Sequence, residues 1–110
     1  MSNLRIFLVT FPADRDALKW AKSLVERKLA ACVNLLEVKS LYWWEGKIEE
    51  AGENLLLIKT SSGKSEELRR VIESEHPYSV PEIVELEVEK VNQPYLRWVL
   101  ESIGEEGRVK

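Results

Sequence analysis

A β-rich stretch over residues 31–60 constrains the fold more than any other part of this 110-residue chain. It contains one strong turn signal, Glu45-Gly46-Lys47, and therefore predicts a β-hairpin. The first strand of that hairpin would run over residues 31–44, whereas a typical strand has about 5–6 residues. A small sheet cannot cover an arm of this length. Gly52 predicts a break or bulge that divides the second strand into two pieces.

The tip of this arm carries four large apolar side chains in a row. They are Leu41, Tyr42, Trp43 and Trp44. Left exposed, they would form an apolar patch beside unpaired strand edges, which is an aggregation hazard. Further copies of the chain, paired head to tail in a closed ring, would cover both, so we expect a homo-oligomer in which these aromatic rings anchor the interface. The alternatives are that the last helix folds back over the rings within one chain, or that the rings stack on a ligand.

The remaining pattern completes the order β-α-β-β-α-β. Residues 4–10 are almost all apolar or β-branched, which predicts a central strand. Apolar residues at helical spacing predict a first helix that ends near Lys28. They also predict a second helix, which begins at a cap formed by Ser62 or Ser65 and stops at Pro77.

The last part of the chain predicts one more strand and one more helix. Over residues 83–91 apolar residues alternate with glutamates, which predicts a half-buried strand, and a helix follows from Asn92 to about Gly104. This pattern is typical of the α+β, ferredoxin-like βαββαβ sandwich, with both main helices on one face of the sheet. We therefore expect a single domain over residues 1–110, in which residues 104–110 form a loose tail.

Composition limits the kinds of partner that the protein can bind and indicates its cellular compartment. The net charge of −3 gives no drive toward nucleic acid or an anionic membrane, and no apolar run reaches the roughly 18 residues of a membrane span. The aromatic patterns of RNA-recognition modules are absent as well. A single cysteine and an N-terminus without a signal-peptide pattern predict a cytoplasmic protein. The acids are 17 Glu and only two Asp, a bias typical of heat-adapted proteins, which predicts thermostability.

Few residues are candidates for chemistry. His76 is the only histidine and Cys32 the only cysteine, so no pair of nucleophile and base can be placed, and we expect no enzyme. The segment Glu75-His76-Pro77-Tyr78 is typical of a helix end at which an imidazole bonds the last carbonyl groups. Cys32 opens a predicted strand, where a free cysteine is usually a small buried apolar residue.

Two charged features remain open. Lys59, within IKTSSG, could meet a phosphate or carboxylate ligand in a cleft between subunits, although this loop lacks the glycine spacing of a P-loop. Glu82 precedes three alternating glutamates. That row either gathers a hard cation or forms the solvated or ion-paired face of a strand.

Four segments together resemble a known family. They are LAACVNLLEVKSLYWWEGKIEE (residues 29–50), LLLIKT (55–60), HPYSVPE (76–82) and NQPYLRWV (92–99). In this order and spacing they are similar to the CutA divalent-cation tolerance proteins over about residues 4–103. The resemblance implies a ferredoxin-like subunit, a cytoplasmic homotrimer that shares β-strands, and a role in the response to metal ions.

The resemblance also implies a metal site. Copper is the cation it suggests, with His76 as a ligand, because imidazole suits copper and zinc. Glu75 stands where bacterial members have a second histidine, and it is the candidate for a second ligand beside His76. Val9 stands where they have a cysteine, and valine cannot bind a metal, so the ligand set is incomplete. We therefore expect a non-enzymatic homotrimer that responds to divalent metal ions. The alternative is a trimer like the PII signalling proteins, which binds a small ligand or serves as a scaffold.

Overall fold

The computed structural model describes residues 2–105, which form one four-stranded antiparallel sheet and three helices. The strands are β1 (Leu4–Pro12), β2 (Cys32–Trp44), β3 (Lys47–Ser61) and β4 (Ile83–Glu87), and their order in the sheet is β2-β3-β1-β4. The helices are α1 (Ala17–Glu26), α2 (Ser65–Glu75) and α3 (Gln93–Ser102). The predicted α+β order, with its C-terminal helix, is confirmed. Within residues 2–105 no helix is long and apolar enough to cross a membrane.

The strands bury alternate side chains against the two main helices. Phe7 and Val9 of β1 and Ile58 of β3 are fully buried in one cluster with Leu24 of α1 and Leu68 of α2. Burial of this kind contributes about 1.5–3 kcal/mol per large apolar side chain. The prediction that both main helices cover one face of the sheet is therefore correct.

The helix α3 packs on the other face. Its residues Leu96, Val99 and Leu100 form a second cluster with Leu4, which alternation places opposite Phe7. This cluster covers one end of that face and leaves the rest uncovered. We call the uncovered part the open face, and its apolar residues are Ile6, Leu8, Leu36, Leu57, Val84 and Leu86.

The β2–β3 hairpin forms the predicted arm. Its ladder runs without interruption from Cys32 opposite Lys59 to Trp44 opposite Lys47. Glu45 and Gly46 both have positive φ, at 49° and 77°, as a tight two-residue hairpin turn requires. The arm makes the chain 48 Å long but only 26 Å and 21 Å across.

The predicted break at Gly52 is wrong. This glycine pairs with Lys39 within a continuous β3, and the space around its Cα is open. Glycine adopts an extended backbone as readily as a left-handed one, so its presence does not force a bulge. The ladder bonds on either side hold the strand through this position.

Several boundaries differ from the predicted ones. The helix α1 ends at Glu26, where Lys28 takes a left-handed φ of 61° and the Leu29 N–H bonds the Leu24 carbonyl at 3.0 Å. That bond and the left-handed residue before it are the pattern of a Schellman motif, which closes a helix. The strand β4 ends at Glu87 and not at residue 91, so it pairs with β1 over only five residues.

The serine caps predicted for α2 are also wrong. The N-cap is Lys64, whose side chain makes no capping bond, while its backbone N–H donates to Ser61 Oγ at 3.2 Å. Ser65 instead donates to the carbonyl of Ser62, which leaves neither hydroxyl in a capping position. Of the predicted tail, residues 106–110 lie outside the described part of the chain. Glu105 is anchored, because its carboxylate accepts a hydrogen bond from the Ser61 hydroxyl.

Candidate functional site

His76 lies directly after α2, in extended backbone that the following proline favours. Its side chain is only 8% exposed. The Nε2 atom lies 2.7 Å from the carbonyl oxygen of Thr10, and the backbone N–H of Tyr78 points to Nδ1 at 3.0 Å. A backbone N–H can only donate, so Nδ1 is the acceptor and Nε2 carries the proton that it donates to Thr10. Both ring nitrogens are thus engaged by the backbone.

This imidazole replaces a missing strand partner. The β1–β4 pairing stops at Val9 opposite Ile83, and the bonded carbonyl belongs to the next residue of β1. The imidazole therefore donates to a carbonyl of the sheet. The expected hydrogen bond from His76 to the last carbonyl groups of α2 is not formed. His76 ties the end of α2 to β1 and fixes the start of the segment that follows.

Glu75 points into a different cluster. Its carboxylate accepts from both terminal nitrogens of Arg27, at 2.8 and 2.9 Å, and from the indole N–H of Trp20 at 3.0 Å. The hydrogen bonds from Arg27 lower the pKa of Glu75 below its ordinary value, and Trp20 adds to the effect. The pair joins the ends of α1 and α2. Glu75 and His76 are neighbours in sequence, but their hydrogen-bond partners differ.

A groove of about 1120 Å³ lies between the arm and the segment that follows α2. We call it the arm groove. The arm contributes Ser40, Leu41, Tyr42, Trp44, Glu49 and Glu53, β1 contributes Thr10, and the segment after α2 contributes Pro77, Tyr78, Ser79, Val80 and Glu82. The structure thus brings together Tyr42, Trp44, Tyr78 and Glu82, four of the residues that the sequence singled out.

Two side chains of the groove are bonded to each other. The Tyr78 hydroxyl donates to Glu53 Oε2 at 2.9 Å, and Glu53 is only 9% exposed. Burial and the adjacent carboxylate raise the pKa of Tyr78 to about 12, so the phenol stays protonated and remains a donor. Sequence reasoning missed Glu53, because nothing in the sequence separates it from the other 16 glutamates.

The remaining candidate residues lie elsewhere. Cys32 is only half-buried, which corrects the expectation of a buried residue, and its Sγ lies 3.8 Å from Asn34 Oδ1. Lys59 pairs with Cys32 across the ladder, and its Nζ lies 5.9 Å from the centre of the Tyr95 ring. That distance is typical of a cation–π contact. Neither residue lines the arm groove.

The aromatic tip is not covered by the last helix. Trp43 is 74% exposed, and Tyr42 and Trp44 are exposed as well. The helix α3 packs at the opposite end of the molecule, on Leu4, so the alternative in which it folds back over the tip is wrong. Within one chain, the aromatic tip of the arm is therefore exposed to water.

Comparison with known proteins identifies the family. The family model described as CutA1 divalent ion tolerance protein matches residues 5–102. The chain belongs to this family. It is 45% identical over 97 residues to the divalent-cation tolerance protein CutA of Pyrococcus horikoshii, an alignment that covers 88% of this chain and 95% of that protein. It is 49% identical over 98 residues to a CutA homolog of Xenopus laevis, which covers 88% of this chain but 65% of the longer relative.

Solved structures of CutA proteins have the same fold. The CutA of Synechococcus elongatus gives a TM-score of 0.89 at 31% identity, over 94% of this chain and 92% of that one. The CutA of Archaeoglobus fulgidus, described as a periplasmic divalent cation tolerance protein, gives 0.85 at 39% identity, over 91% and 98%. These matches confirm the ferredoxin-like α+β architecture that the sequence predicted.

The donors around His76 do not form the copper site that the family resemblance implied. Copper needs a free imidazole lone pair, and here one nitrogen is protonated while the other accepts the Tyr78 N–H. Val9 is buried and offers no donor. Within residues 2–105 no three His, Cys, Asp or Glu side chains lie close enough together to hold a metal ion.

Proposed function

We propose that this protein acts in divalent-cation tolerance as a non-enzymatic homotrimer in the cytoplasm. Its relatives in Pyrococcus horikoshii and Thermus thermophilus are named divalent-cation tolerance proteins, and the family similarity covers nearly the whole chain. The role is therefore carried over from relatives. The trimeric assembly is supported by the exposed apolar surface of this chain.

The observation that supports the assembly is the open face. Val84 and Leu86 of β4 are 42% and 41% exposed, although they lie beside the apolar residues of β1. The sequence predicted this strand face to be buried, and within one chain it is not. Apolar sheet faces of this kind mark protein–protein interfaces, and burial of each residue would contribute about 1 kcal/mol.

The strand edges support the same conclusion. The order β2-β3-β1-β4 leaves β2 and β4 with one unpaired edge each. A heterologous contact between these two different edges forms a closed trimer when the rotation between copies is a third of a turn, whereas a two-fold dimer uses the same surface on both copies. Trp43 and Ile48, a cross-strand pair on the arm, are both exposed and would be covered in such a ring.

The ring nitrogens of His76 and the carboxylate of Glu75 are already engaged in hydrogen bonds within the chain. This supports a tolerance role that does not need copper bound by these two residues. Copper is nevertheless the cation to test first, because the resemblance to CutA proteins implies it. Zinc is the natural comparison, since imidazole suits both. A second candidate function, small-ligand signalling like that of the PII proteins, is favoured by the arm groove, which is concave and has aromatic and apolar walls.

The experiment compares two variants that introduce the same charge at different places. Leu86→Glu puts a carboxylate on the open face, while Leu18→Glu puts it on the exposed surface of α1, where the leucine is 68% exposed. Light scattering should give three times the 12.7 kDa chain mass for the wild type and for Leu18→Glu, and a smaller mass for Leu86→Glu.

The same variants test the function. In cells that lack their own family member, growth in copper or zinc should be restored by the wild type and by Leu18→Glu, and not by Leu86→Glu. A monomeric wild type would contradict the trimer. A wild type that assembles but gives no protection against either metal would contradict the tolerance role.

A further inference from the structure

The helix α2 begins without a side-chain cap of its own. The first backbone N–H groups of any helix lack intrahelical partners, and this end of the helix carries a partial positive charge. A serine, threonine, asparagine or aspartate at the N-cap usually bonds one of these groups. In α2 the N-cap is Lys64, which forms no side-chain capping bond, and the carboxylate of Glu66 in the first turn accepts from Arg69 at 3.0 Å. The cap position is thus filled by a residue that does not cap the helix.

The carboxylate of Glu105 lies beside this helix end. It accepts a hydrogen bond from the Ser61 hydroxyl, and the oxygen of that hydroxyl accepts the backbone N–H of Lys64 at 3.2 Å. Ser61 is only 1% exposed. Hydrogen bonds in a chain polarise one another, so donation to a carboxylate makes the hydroxyl oxygen a better acceptor. Glu105 therefore supports the start of α2 through Ser61, although the two residues are 44 positions apart in the sequence.

Gly63 is a second observation that points to this contact. A Cβ atom at position 63 would lie 2.6 Å from Glu105 Oε1 and 2.7 Å from Oε2, which is closer than nonbonded atoms approach one another. The backbone does not require glycine here, because among the described glycines positive φ values occur at Gly46 and Gly104. The lack of a side chain at position 63 is therefore explained by the carboxylate that covers it.

The end of α3 holds this carboxylate in position. The Glu105 N–H bonds the Leu100 carbonyl at 2.7 Å, and the Gly104 N–H bonds the Glu101 carbonyl at 3.2 Å. Gly104 has a φ of 77°, which completes a Schellman motif. Leu100 is fully buried in the cluster with Leu4 that packs α3 on the sheet. The backbone that carries Glu105 is thus fixed by α3, and the contact joins the end of α3 to the start of α2.

We propose that Ser61, Gly63 and Glu105 form a latch through which the end of α3 stabilises the first turn of α2. The two helices pack on opposite faces of the sheet, and the latch connects them. When the carboxylate leaves, α2 loses its cap and α3 loses a polar contact at its C-terminal end, so the two helix ends open together. The latch is a contact within one chain, and it depends neither on the trimer nor on metal tolerance.

Amide hydrogen exchange of the full-length protein, followed by NMR at one chain concentration, tests the latch. Glu105→Ala removes the carboxylate. At the start of α2 we expect the amides of Lys64 and Leu68 to exchange about tenfold faster, which is the effect of a lost helix cap. At the end of α3 the amides of Ile103 and Gly104 should accelerate by a similar factor, because the latch holds both helix ends.

Two controls separate the latch from general destabilisation. The His76 amide, bonded to Ile72 at the other end of α2, should change by less than about twofold in Glu105→Ala. Glu101→Ala removes the same charge from an exposed position of α3 and should leave both helix ends within about twofold of the wild type. Equal effects of Glu101→Ala and Glu105→Ala would overturn the proposal. So would faster exchange at the start of α2 alone, or an equal acceleration throughout the chain.

Gly63→Ala tests the same contact from the other side. Alone it should displace the carboxylate and accelerate exchange at both helix ends, as Glu105→Ala does. In the double variant with Glu105→Ala the methyl group has space, so Gly63→Ala should add less than about twofold. Effects that multiply in the double variant would show that the glycine serves the loop alone, and would overturn the proposal. A change of mass in Glu105→Ala by light scattering would place the contact in the assembly, and would overturn it as well.

Discussion

Replacing His76 by alanine tests the structural role of the imidazole. The change removes the acceptor of the Tyr78 N–H and the donor to the Thr10 carbonyl, in a position that is only 8% exposed. It also removes a ring whose centre lies 5.0 Å from that of Phe11 and 6.4 Å from that of Trp20. Two backbone groups are left without partners, and a cavity opens beside the aromatic cluster.

The expected loss of stability follows from these contacts. Each buried backbone group left unsatisfied costs about 1–3 kcal/mol, and the lost ring contacts add about 1 kcal/mol through the cavity. We expect the free energy of unfolding of His76→Ala to be about 3–7 kcal/mol per chain below that of the wild type. His76→Gln should recover part of this loss, because an amide both donates and accepts.

Guanidinium unfolding at a fixed chain concentration measures the loss, with and without a metal chelator. Ser74→Ala is the matched control: its hydroxyl, two positions earlier on the exposed side of α2, donates to the Val71 carbonyl at 3.1 Å. It should cost less than about 1 kcal/mol. A His76→Ala loss no larger than this would refute the reasoning. So would a wild type that the chelator destabilises as much as the alanine substitution does, because His76 would then act through a metal.

Three further predictions concern other contacts. Glu75→Gln should lower the free energy of unfolding by about 1 kcal/mol, since the ion pair with Arg27 is half-exposed. The folded-state pKa of Glu75 is lowered, so this contribution is present above pH 4.5 and is lost as the pH falls below it. Unfolding curves at a series of pH values should therefore show the wild type and the variant converging in acid. Ultraviolet absorbance should show one tyrosine that titrates at about pH 12. This transition should be absent in Tyr78→Phe and should move toward pH 10 in Glu53→Gln. Because the folded state favours the neutral phenol, the contribution of Tyr78 to stability is present below pH 10 and is lost between pH 10 and 12. Lys28→Gly should raise the free energy of unfolding by about 0.5–1 kcal/mol, since φ is 61° there, and an unchanged or lower value would show that the lysine side chain contributes more than the backbone strain costs.

The sequence was informative where a local pattern decides the structure. The arm could be predicted because its turn residues and its β-rich flanks are adjacent in the chain, and the helices because their apolar residues recur at helical spacing. Gly52 was misjudged for the same reason. A glycine is compatible with a bulge or a regular strand, and the cross-strand partner that decides between them, Lys39, is not local.

The candidate site depended on contacts that no local pattern contains. The carbonyl that His76 bonds is 66 positions away in the sequence, and Arg27 is 48 positions from Glu75. Both glutamates that matter, Glu53 and Glu75, are distinguished from the others only by these distant partners. The family resemblance drew attention to the segment around His76, but the partners of its side chains required the packed structure.

The β2–β3 and β1–β4 pairings also differ in how many residues separate the strands that pair. A two-residue turn joins β2 to β3, so each new pair of their ladder closes almost no additional loop, whereas Val9 and Ile83 meet only after closure across 74 positions. The hairpin should therefore assemble early in folding. The strand β4, held to β1 by five residue pairs, should join last and be the first to open in the folded chain. Its amides should exchange with solvent hydrogen sooner than those of β1 and β3, unless a neighbouring copy supplies the strand that its free edge lacks.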